Sequence, residues 1–521
     1  METERIILIV ASSMSTFPST LGSQVIKNSL SVFLRGGAQA AFVVFVTPYI
    51  LHRLGKDNFG IWSLIYVFIA YSALFDFGVS GALAKFTGGL DPGRDGRKIK
   101  TLLNSALAIL SLLCLLVVCG LIAVGSWYSG QTVAGHSALQ LALLAGLLFA
   151  AAMFANLLMY ALLGIQRQDL GSYVATCFTF LSALGIVALL AAGIRLEGLI
   201  LFSVFNTLLM GGVGWIVFFR QVQGPPSKQV DREQVAHLLG FGWRLQIYAF
   251  VSIFYQYFGK FFLAYSLSLA AVAHYELALR LVTQVRQGLS SLAGSLLPAT
   301  ARLQGEGNTA LMGQFYFYTL KYISLLSIPL FGSLCFFALP LINCWVGGGY
   351  EESASVLRIL APGFYAGTLS SVTWFFMVGG GTPGVGALLA LFETALGVGS
   401  TLLFAPRYGL EGAAFAASLA ACVSLPVYLW LYQRQVSYPW LQLLWQGFAF
   451  PILICVALAV PTQALLQLLP SRLGQLIGIL AYIFACYAAF VPFRVVRNDE
   501  QRPVREWMRR EWRGLVAGGQ L

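Results

Sequence analysis

Charged residues are scarce in this sequence. Asp, Glu, Lys and Arg together make up 10% of the 521 residues, whereas hydrophobic residues make up 58%. Soluble domains carry roughly 25% charged residues, so this chain lacks the polar surface that would keep it in water. Length alone would suggest several soluble domains, but the composition predicts one integral membrane unit.

Sequence signatures of catalysis and metal binding are also missing. The chain has no GxxxxGK[ST] phosphate loop, no HExxH pair and no paired-Asp motif. Its eight cysteines have neither CxxC nor Cys/His spacing, and nearly all lie inside apolar runs. This pattern supports neither a zinc site nor a disulfide framework. We therefore expect no catalytic residue, no metal and no cofactor, and we interpret the protein as a transporter rather than an enzyme.

Long apolar runs, in contrast, are abundant. A membrane-spanning helix needs about 20 mostly apolar residues, and about fourteen runs meet this requirement. They are Ser31–Leu51, Phe59–Leu83, Leu102–Trp127, Ala138–Leu163, Ser172–Ala192, Leu199–Phe219, Phe241–Tyr265, Ala270–Leu297, Phe315–Leu339, Ser355–Val378, Val385–Phe404, Ala413–Leu431, Leu443–Leu468 and Leu476–Val491. The sequence predicts an all-α integral membrane fold.

Basic residues are concentrated in alternate loops between these runs. About 20 Lys and Arg residues fall in one set of loops and tails, and about five fall in the other set. Cytoplasmic loops carry the excess of Lys and Arg, so both termini are predicted to lie in the cytoplasm, with the chain in the inner membrane. The formal charge of +12 therefore does not indicate a nucleic-acid partner.

Two short, similar segments indicate an internal repeat in the chain. Glu197-Gly198 precedes the sixth run, and Glu411-Gly412 precedes the twelfth. Secondary transporters are often built from such repeats, with substrate bound between the halves. The predicted organisation is a cytoplasmic tail at 1–28, an N-lobe of six helices at 29–219, a cytoplasmic linker at 220–240, a C-lobe of six helices at 241–432, helices 13 and 14 at 443–493, and a basic cytoplasmic tail at 494–521.

Charged residues inside membrane spans are functional candidates, because burying them costs several kcal/mol unless they are paired or hydrated. Seven bases and three acids fall within the runs, which favours a cavity for an anion. They are Arg35, Asp76, Arg244, Lys260, Glu276, Arg280, Arg286, Lys321, Arg358 and Glu393. Lys321 and Arg358 lie near the ends of their runs, where extension to the membrane surface is the favoured interpretation.

The eighth run carries a polar stripe. Its polar residues recur at spacings of three and four, which places them on one helix face. They are Glu276, Arg280, Thr283, Gln284, Gln287 and Ser291. A polar face in a membrane helix must meet protein or water. We favour a substrate-facing wall, with a hydrogen-bonded seam between helices as the alternative.

Two charge pairs are predicted across hairpins. Arg35 and Asp76 lie 20 residues before and 21 residues after Gly55, so a hairpin turn there places them at similar depth; alternatively, Arg35 extends to the cytoplasmic surface. Lys260 and Glu276 flank a turn near residues 267–268 and are predicted to face each other. Glu276 is also one helical turn from Arg280 and can pair with either base. Glu393 has no partner nearby in the sequence, so a proton- or sodium-coupling site and a packed, protonated acid both remain open.

Several segments resemble the polysaccharide-transport flippases of the multidrug/oligosaccharidyl-lipid/polysaccharide exporter superfamily. RLGKDNFGIWSL at 53–64 and LFDFGVSGAL at 74–83 look like that family's first hairpin, and AHYELALRLVTQ at 273–284 with LLPATARL at 296–303 looks like its eighth helix. VGGGYEESASVLRIL at 346–360 and PRYGLEGAAFA at 406–416 are similar to its later outside loops. Together these segments extend over most of the chain.

The resemblance implies two lobes around a central cationic cavity. It also implies a substrate, an undecaprenyl-diphosphate-linked oligosaccharide, which is moved outward by alternating access for O-antigen (lipopolysaccharide), capsule or exopolysaccharide assembly. The cavity residues carried over are Arg35, Arg244, Lys260 and Arg280, with Gln284 and Gln287 added from the stripe. Expected partners are the lipid-linked substrate, membrane lipids and polysaccharide polymerase machinery, and the protein is expected to be a monomer.

Three alternatives stay open at this point. A lipid II flippase of the same superfamily would also suit a basic cavity. A cation-coupled drug exporter is expected to carry acidic cavity residues early in the chain, where this sequence has Arg35. A membrane glycan polymerase or ligase is expected to need a larger external surface than the loop at about 342–353 provides.

Overall fold

The computed structural model describes residues 19–490, except 73, 129, 134, 226–229, 295–299, 301–308, 381 and 470. These residues are almost entirely helical. The helices are α1 Ser19–Leu54, α2 Lys56–Ser72, α3 Val79–Thr87, α4 Gly96–Trp127, α5 Ala138–Gly164, α6 Gln168–Ala191, α7 Leu196–Gln221, α8 Arg232–Ser266, α9 Leu269–Gly294, α10 Thr309–Phe336, α11 Ala338–Trp345, α12 Glu351–Gly379, α13 Pro383–Gln435, α14 Trp440–Leu443, α15 Phe450–Leu468 and α16 Arg472–Phe490. A π-helix, Leu444–Ala449, joins α14 to α15. Strands β1 Thr132–Val133 and β2 His136–Ser137 pair antiparallel.

Each predicted span overlaps at least one helix in the described part of the chain, and α13 contains two of them on either side of a kink at Gly409. Nine stretches of the described residues are long and apolar enough to cross a membrane. The predicted spans outside this set fall on α2 with α3, α8, α9 and α12. Helix α2 has only 17 residues, and the other three helices carry charged residues. The prediction of an all-α integral membrane fold is confirmed.

Helix α1 begins earlier than predicted. It starts at Ser19 rather than near Ser31, so part of the segment assigned to a cytoplasmic tail is helical. The nearest proline upstream is Pro18. No helix-breaking proline separates residues 19–28 from the apolar run, and the helix continues through them.

The second predicted span, Phe59–Leu83, is not one continuous helix. Helix α2 ends at Ser72 and α3 begins at Val79. Between them, Phe77 and Gly78 adopt positive φ angles of 49° and 71°. The Asp76 Oδ1 atom accepts a hydrogen bond from the Gly78 N–H at 2.8 Å, as an aspartate does when it stabilises a local turn.

Helix α8 packs directly on this turn. A Cβ atom built on Gly78 would lie 2.1 Å from the carbonyl oxygen of Gly242, and one built on Gly242 would lie 2.6 Å from that of Phe77. The Gln246 Nε2 atom donates to the Leu74 carbonyl at 2.5 Å. Two facing glycines therefore permit the close approach, and a buried amide satisfies a carbonyl that the helix break leaves open.

The described residues form two compact units. Residues 24–277 and 401–413 form what we call the amino-terminal unit, and the remaining described residues form the carboxy-terminal unit. The core of the first packs α3, α4 and α5 around Leu103, Phe149 and Leu158. The second contains two clusters, one around Tyr316 and one around Tyr482. The predicted lobe boundary at 220–240 stays a prediction.

Candidate functional site

A cavity of about 440 Å³ lies within the amino-terminal unit, between α1, α2, α5, α6 and α7. Arg35 is the charged residue of its lining, and the other lining residues are neutral. The polar ones among them are Gln39, Tyr66, Ser72, Asn156, Thr179, Ser182, Ser203, Asn206 and Thr207. Alanine, methionine, phenylalanine and isoleucine side chains complete the wall. The cavity therefore presents one cation among neutral hydrogen-bonding groups.

The helical period explains how the sequence builds this wall. Arg35 and Gln39 are four residues apart on α1, Thr179 and Ser182 three apart on α6, and Ser203 and Thr207 four apart on α7. Residues three or four apart lie on the same helix face. A polar face in a membrane-spanning helix must be turned away from lipid, so the polar faces converge inside the unit.

Arg35 is exposed in this wall, and no ion pair among the described residues involves it. The predicted pairing with Asp76 is wrong. Asp76 is buried, with 5% of its surface exposed, and its carboxylate is engaged by Gly78. The depth argument assumed a continuous second helix, whereas the break between α2 and α3 takes Asp76 out of the helical register. Arg35 thus has no acidic partner among the residues that the structure describes.

Asn206 presents a second unsatisfied group in the same wall. Its side-chain Nδ2 donates to the Phe178 carbonyl at 3.3 Å, which fixes the orientation of the amide. Its Oδ1 atom is buried and has no hydrogen-bond partner among the described residues, and the residue is 9% exposed. Nearby, the Tyr66 and Ser203 hydroxyls are 2.7 Å apart and satisfy each other. Buried polar atoms are normally hydrogen-bonded, so the Asn206 oxygen is an acceptor that lacks its donor.

Lys260 and Glu276 form a buried ion pair between α8 and α9. Their exposed fractions are 4% and 7%. The Lys260 ammonium also lies 5.2 Å from the centre of the Tyr257 ring, and Tyr71 contacts that ring edge-on. The short turn after α8 brings the two side chains predicted to face each other into contact. Lys260 is consequently neutralised by Glu276 and does not line the cavity around Arg35.

The polar stripe of α9 becomes more exposed toward the end of the helix. Glu276 is buried, Arg280 and Gln284 are half-buried, and Gln287 is exposed. The intervening Thr283 hydroxyl donates to the carbonyl of Leu279 at 2.7 Å, so it is satisfied by its own helix. The role of Arg280, Gln284 and Gln287 in substrate binding stays a prediction. The side chain of Arg244 lies outside the described residues.

Glu393 lies near a base that sequence spacing did not reveal. Within the carboxy-terminal unit, Arg286 of α9 acts electrostatically on Glu393, although the two side chains are not among the ion pairs of the described residues. The guanidinium carbon of Arg286 lies 5.7 Å from the centre of the Phe364 ring, and it is 3.6 Å from where a Cβ atom of Gly367 would lie. Arg286 therefore extends along α12 at Gly367, where the helix has no side chain. Lys321, expected to extend to the membrane surface, is instead fully buried.

His136 connects three segments of the amino-terminal unit through contacts of its two ring nitrogens. The His136 Nδ1 atom is 2.5 Å from Glu197 Oε1 at the start of α7, and its Nε2 atom is 3.0 Å from Asn58 Oδ1 on α2. The Asn58 Nδ2 group donates to the Leu54 carbonyl at 3.1 Å, so Oδ1 is the atom that faces the ring. We call these three residues the His136 clasp. Glu197 was noticed only as part of a repeat, and nothing local in the sequence indicates the clasp.

The described residues contain no group of three or more His, Cys, Asp or Glu side chains placed to hold a metal ion. The structure contains a polar cavity with one cation, one buried ion pair between α8 and α9, an electrostatic interaction between the half-buried Arg286 and Glu393, and the His136 clasp. Such groups bind a ligand and position helices, so their chemistry suits ligand recognition.

Comparison with known proteins identifies a family for this chain. Residues 50–355, more than half of the chain, match the model of a family described as polysaccharide biosynthesis protein. No curated protein sequence matches the chain. Among solved structures, the lipid II flippase MurJ in an inward closed conformation superposes with a TM-score of 0.68 at 13% identity, covering 90% of this chain and 98% of that one.

Transporters of the multidrug resistance MATE family, in the MOP superfamily, share the fold as well. An inward-facing structure has a TM-score of 0.61 at 18% identity and covers 79% of this chain and 98% of that one. An outward-facing structure has a TM-score of 0.58 at 18% identity, covering 79% and 95%. This chain is a multi-pass membrane protein with the fold of MurJ and the MATE transporters, and it belongs to the polysaccharide biosynthesis protein family.

Proposed function

We propose that this protein moves a lipid-linked oligosaccharide from the cytoplasmic to the outer leaflet of the cytoplasmic membrane, by alternating access, for assembly of a surface polysaccharide such as O-antigen, capsule or exopolysaccharide. The observation that carries the proposal is Arg35, a cation of helix α1 that faces a polar cavity and has no acidic partner within the described part of the chain. Membership of the polysaccharide biosynthesis family and the transporter fold support it.

The physical argument rests on the cost of an unpaired charge. A guanidinium inside a bilayer costs several kcal/mol unless water or a counter-ion compensates it. The amides and hydroxyls around Arg35 provide donors and acceptors for the hydroxyl groups of a sugar. An anionic, polyhydroxylated substrate would satisfy both the cation and the neutral wall.

Two other transported substrates are compatible with the fold. A lipid II flippase is favoured by the superposition with MurJ, and it would also need to hold an anionic lipid-linked sugar. A drug exporter is suggested by the MATE structures, but a cationic drug would be repelled by Arg35, and the lining offers no acidic side chain. The family match to polysaccharide biosynthesis favours the oligosaccharide.

The test is a flipping assay in proteoliposomes with a fluorescent, diphosphate-linked oligosaccharide on a polyprenyl lipid. We expect Arg35→Gln to slow translocation at least tenfold with an unchanged melting temperature. Arg53→Gln is the matched control, because Arg53 is an exposed arginine of the same helix whose guanidinium carbon lies 5.4 Å from the centre of the Tyr49 ring and which does not line the cavity. This variant should flip at the normal rate. A folded Arg35→Gln protein that flips normally would contradict the proposed role of this cavity.

A further inference from the structure

The chain reversal between α13 and α14, in the carboxy-terminal unit, lies where two candidate membrane spans meet. One span ends at residue 435 and the next begins at residue 440, so the short connection between them reaches a membrane surface. Three exposed side chains flank it, Trp430 and Arg434 at the end of α13 and Trp440 at the start of α14, and we call them the Trp430 patch. Tryptophan and arginine at the ends of spans lie at the level of the lipid headgroups.

Buried contacts fix the backbone of this reversal. The Tyr438 hydroxyl donates to the Leu429 carbonyl at 2.9 Å, and the Gln433 side-chain amide donates to the Tyr438 carbonyl at 3.0 Å. Tyr438 is buried, and the centre of its ring lies 4.9 Å from that of Tyr316 on α10. The backbone that carries the Trp430 patch is therefore packed in place, and a ligand does not have to order it.

Within the described part of the chain, Arg434 has no acidic partner. Its guanidinium carbon lies 3.8 Å from the centre of the Trp430 ring, and it takes part in none of the ion pairs between described residues. The sequence contains no Asp or Glu between Glu411 and Asp499. A guanidinium stacked on an aromatic ring keeps its N–H groups at its edge, where they can donate to two oxygens of one phosphate.

Apolar surface continues from this arginine into the next span. Trp440, Leu441 and Trp445 are 52%, 68% and 57% exposed, and the Trp445 ring stacks on that of Phe450. A free phosphate ion would leave this surface uncovered, whereas the acyl chains of a phospholipid cover it. A zwitterionic headgroup brings its own cation, which Arg434 repels, so charge complementarity favours an anionic lipid.

We propose that the Trp430 patch binds the headgroup of an anionic glycerophospholipid such as phosphatidylglycerol. Arg434 donates to the phosphate, the two tryptophan rings of the patch pack beside the glycerol backbone, and the acyl chains lie along the exposed apolar surface that follows Trp440. None of these residues lines the cavity around Arg35. The site goes beyond the proposed function, because it would bind a lipid of the surrounding membrane whatever the protein transports.

The experiment is native mass spectrometry of the purified, delipidated full-length protein. It is titrated with phosphatidylglycerol, with phosphatidylcholine of the same acyl chains, or with a polyprenyl monophosphate. We expect the first phosphatidylglycerol to bind more tightly than the first phosphatidylcholine. Arg434→Gln should weaken phosphatidylglycerol about fivefold, the contribution of one base near an anionic lipid surface, and leave phosphatidylcholine unchanged. Arg434→Lys should retain part of the affinity, because an ammonium keeps the charge but not the planar fork.

Arg220→Gln is the matched control. Arg220 is an exposed arginine in the last turn of α7 and stacks on no aromatic ring among the described residues, so its loss should change the phosphatidylglycerol affinity far less. Equal losses for Arg220→Gln and Arg434→Gln would overturn the proposal, since binding would then follow overall charge. Tighter binding of the polyprenyl monophosphate with the same dependence on Arg434 would also overturn it, by assigning the site to a polyprenyl carrier lipid.

Discussion

At the residue scale, the buried pair of Lys260 and Glu276 should matter more for stability than any surface ion pair. Removing one partner strands a charge in a low-dielectric interior, which typically costs about 3–5 kcal/mol. We expect Lys260→Met to lower the melting temperature of the purified protein strongly. The double variant Lys260→Met/Glu276→Leu should recover most of the loss, because neither charge is then left alone.

The matched control for this prediction is Lys98→Met. Lys98 pairs with Asp95 at 3.6 Å, but its side chain is 72% exposed, and exposed pairs contribute about 0–1 kcal/mol. Its melting temperature should stay within about one degree of the unmodified protein. A double variant less stable than Lys260→Met alone would contradict the account of Glu276 as a stranded charge.

Arg280 permits a second prediction at this scale. If it binds substrate, Arg280→Ala should abolish glycan export while expression and melting temperature stay nearly unchanged. Arg280→Lys should restore export only in part, because an ammonium cannot reproduce the fork geometry of a guanidinium. If Arg280 instead holds helices together, Arg280→Ala should lower the melting temperature. Normal export by folded Arg280→Ala would remove this arginine from the mechanism.

At the scale of helices, the contact between α8 and the turn after α2 has no room for a side chain. A Cβ at position 242 would lie 2.6 Å from the Phe77 carbonyl oxygen, so Gly242→Ala must displace backbone. Forcing extra atoms into a packed site costs about 1–3 kcal/mol, and a lower melting temperature is expected. Gly240→Ala, two residues away on α8 with nothing within 4 Å, should be neutral or slightly stabilising. Equal effects of the two substitutions would refute the close contact.

The His136 clasp gives a prediction about stability. The two ring nitrogens lie within hydrogen-bonding distance of two oxygen atoms, Glu197 Oε1 and Asn58 Oδ1. A hydrogen bond to a charged group contributes about 1.5–3 kcal/mol. His136→Gln should therefore lower the melting temperature of the purified protein, because the ring that joins the two oxygen atoms is lost.

His52 is the control for the clasp. Its Nδ1 atom contacts the Pro48 carbonyl at 2.7 Å within α1, a single contact inside one helix. His52→Gln should therefore lower the melting temperature less than His136→Gln. Equal effects of the two substitutions would contradict the role of the clasp in joining three segments.

The helices could be predicted from the sequence far better than their connections. Span length is set by local apolar runs, and each of the predicted runs overlaps a helix, although Phe59–Leu83 is divided between two. The break at Asp76 is hidden inside such a run, because it depends on Gly78 and on Gly242, which is far away in the chain. For the same reason Glu393 seemed to lack a partner until the fold placed Arg286 near it.

The candidate site was predictable only in part. Arg35 was identified because a charge in a membrane span is conspicuous. The neutral members of the wall, such as Asn206 and Thr179, were missed, although their spacing of three and four residues on α6 and α7 was a usable signal. Polar residues without charge are common in membrane helices, so only their convergence in space distinguishes a cavity wall.

At the scale of the whole molecule, the orientation in the membrane can be tested directly. In a variant without its eight cysteines, Lys98→Cys and Arg195→Cys place single thiols at two exposed positions. Because the basic loops are expected in the cytoplasm, a membrane-impermeant maleimide should label position 195 in intact cells and position 98 only after permeabilisation. The reverse pattern would invert the proposed topology.

The division of the chain into units has a consequence for biosynthesis. Residues 401–413 belong to the amino-terminal unit although more than a hundred residues of the other unit precede them, and Gly409 there lies close to Leu267. Chains are made at about 5–20 residues per second, so synthesis from residue 277 to residue 413 takes on the order of ten seconds. During that interval the amino-terminal unit lacks its last helical segment. The surface that residues 401–413 cover in the complete unit is then exposed to lipid or to a membrane chaperone.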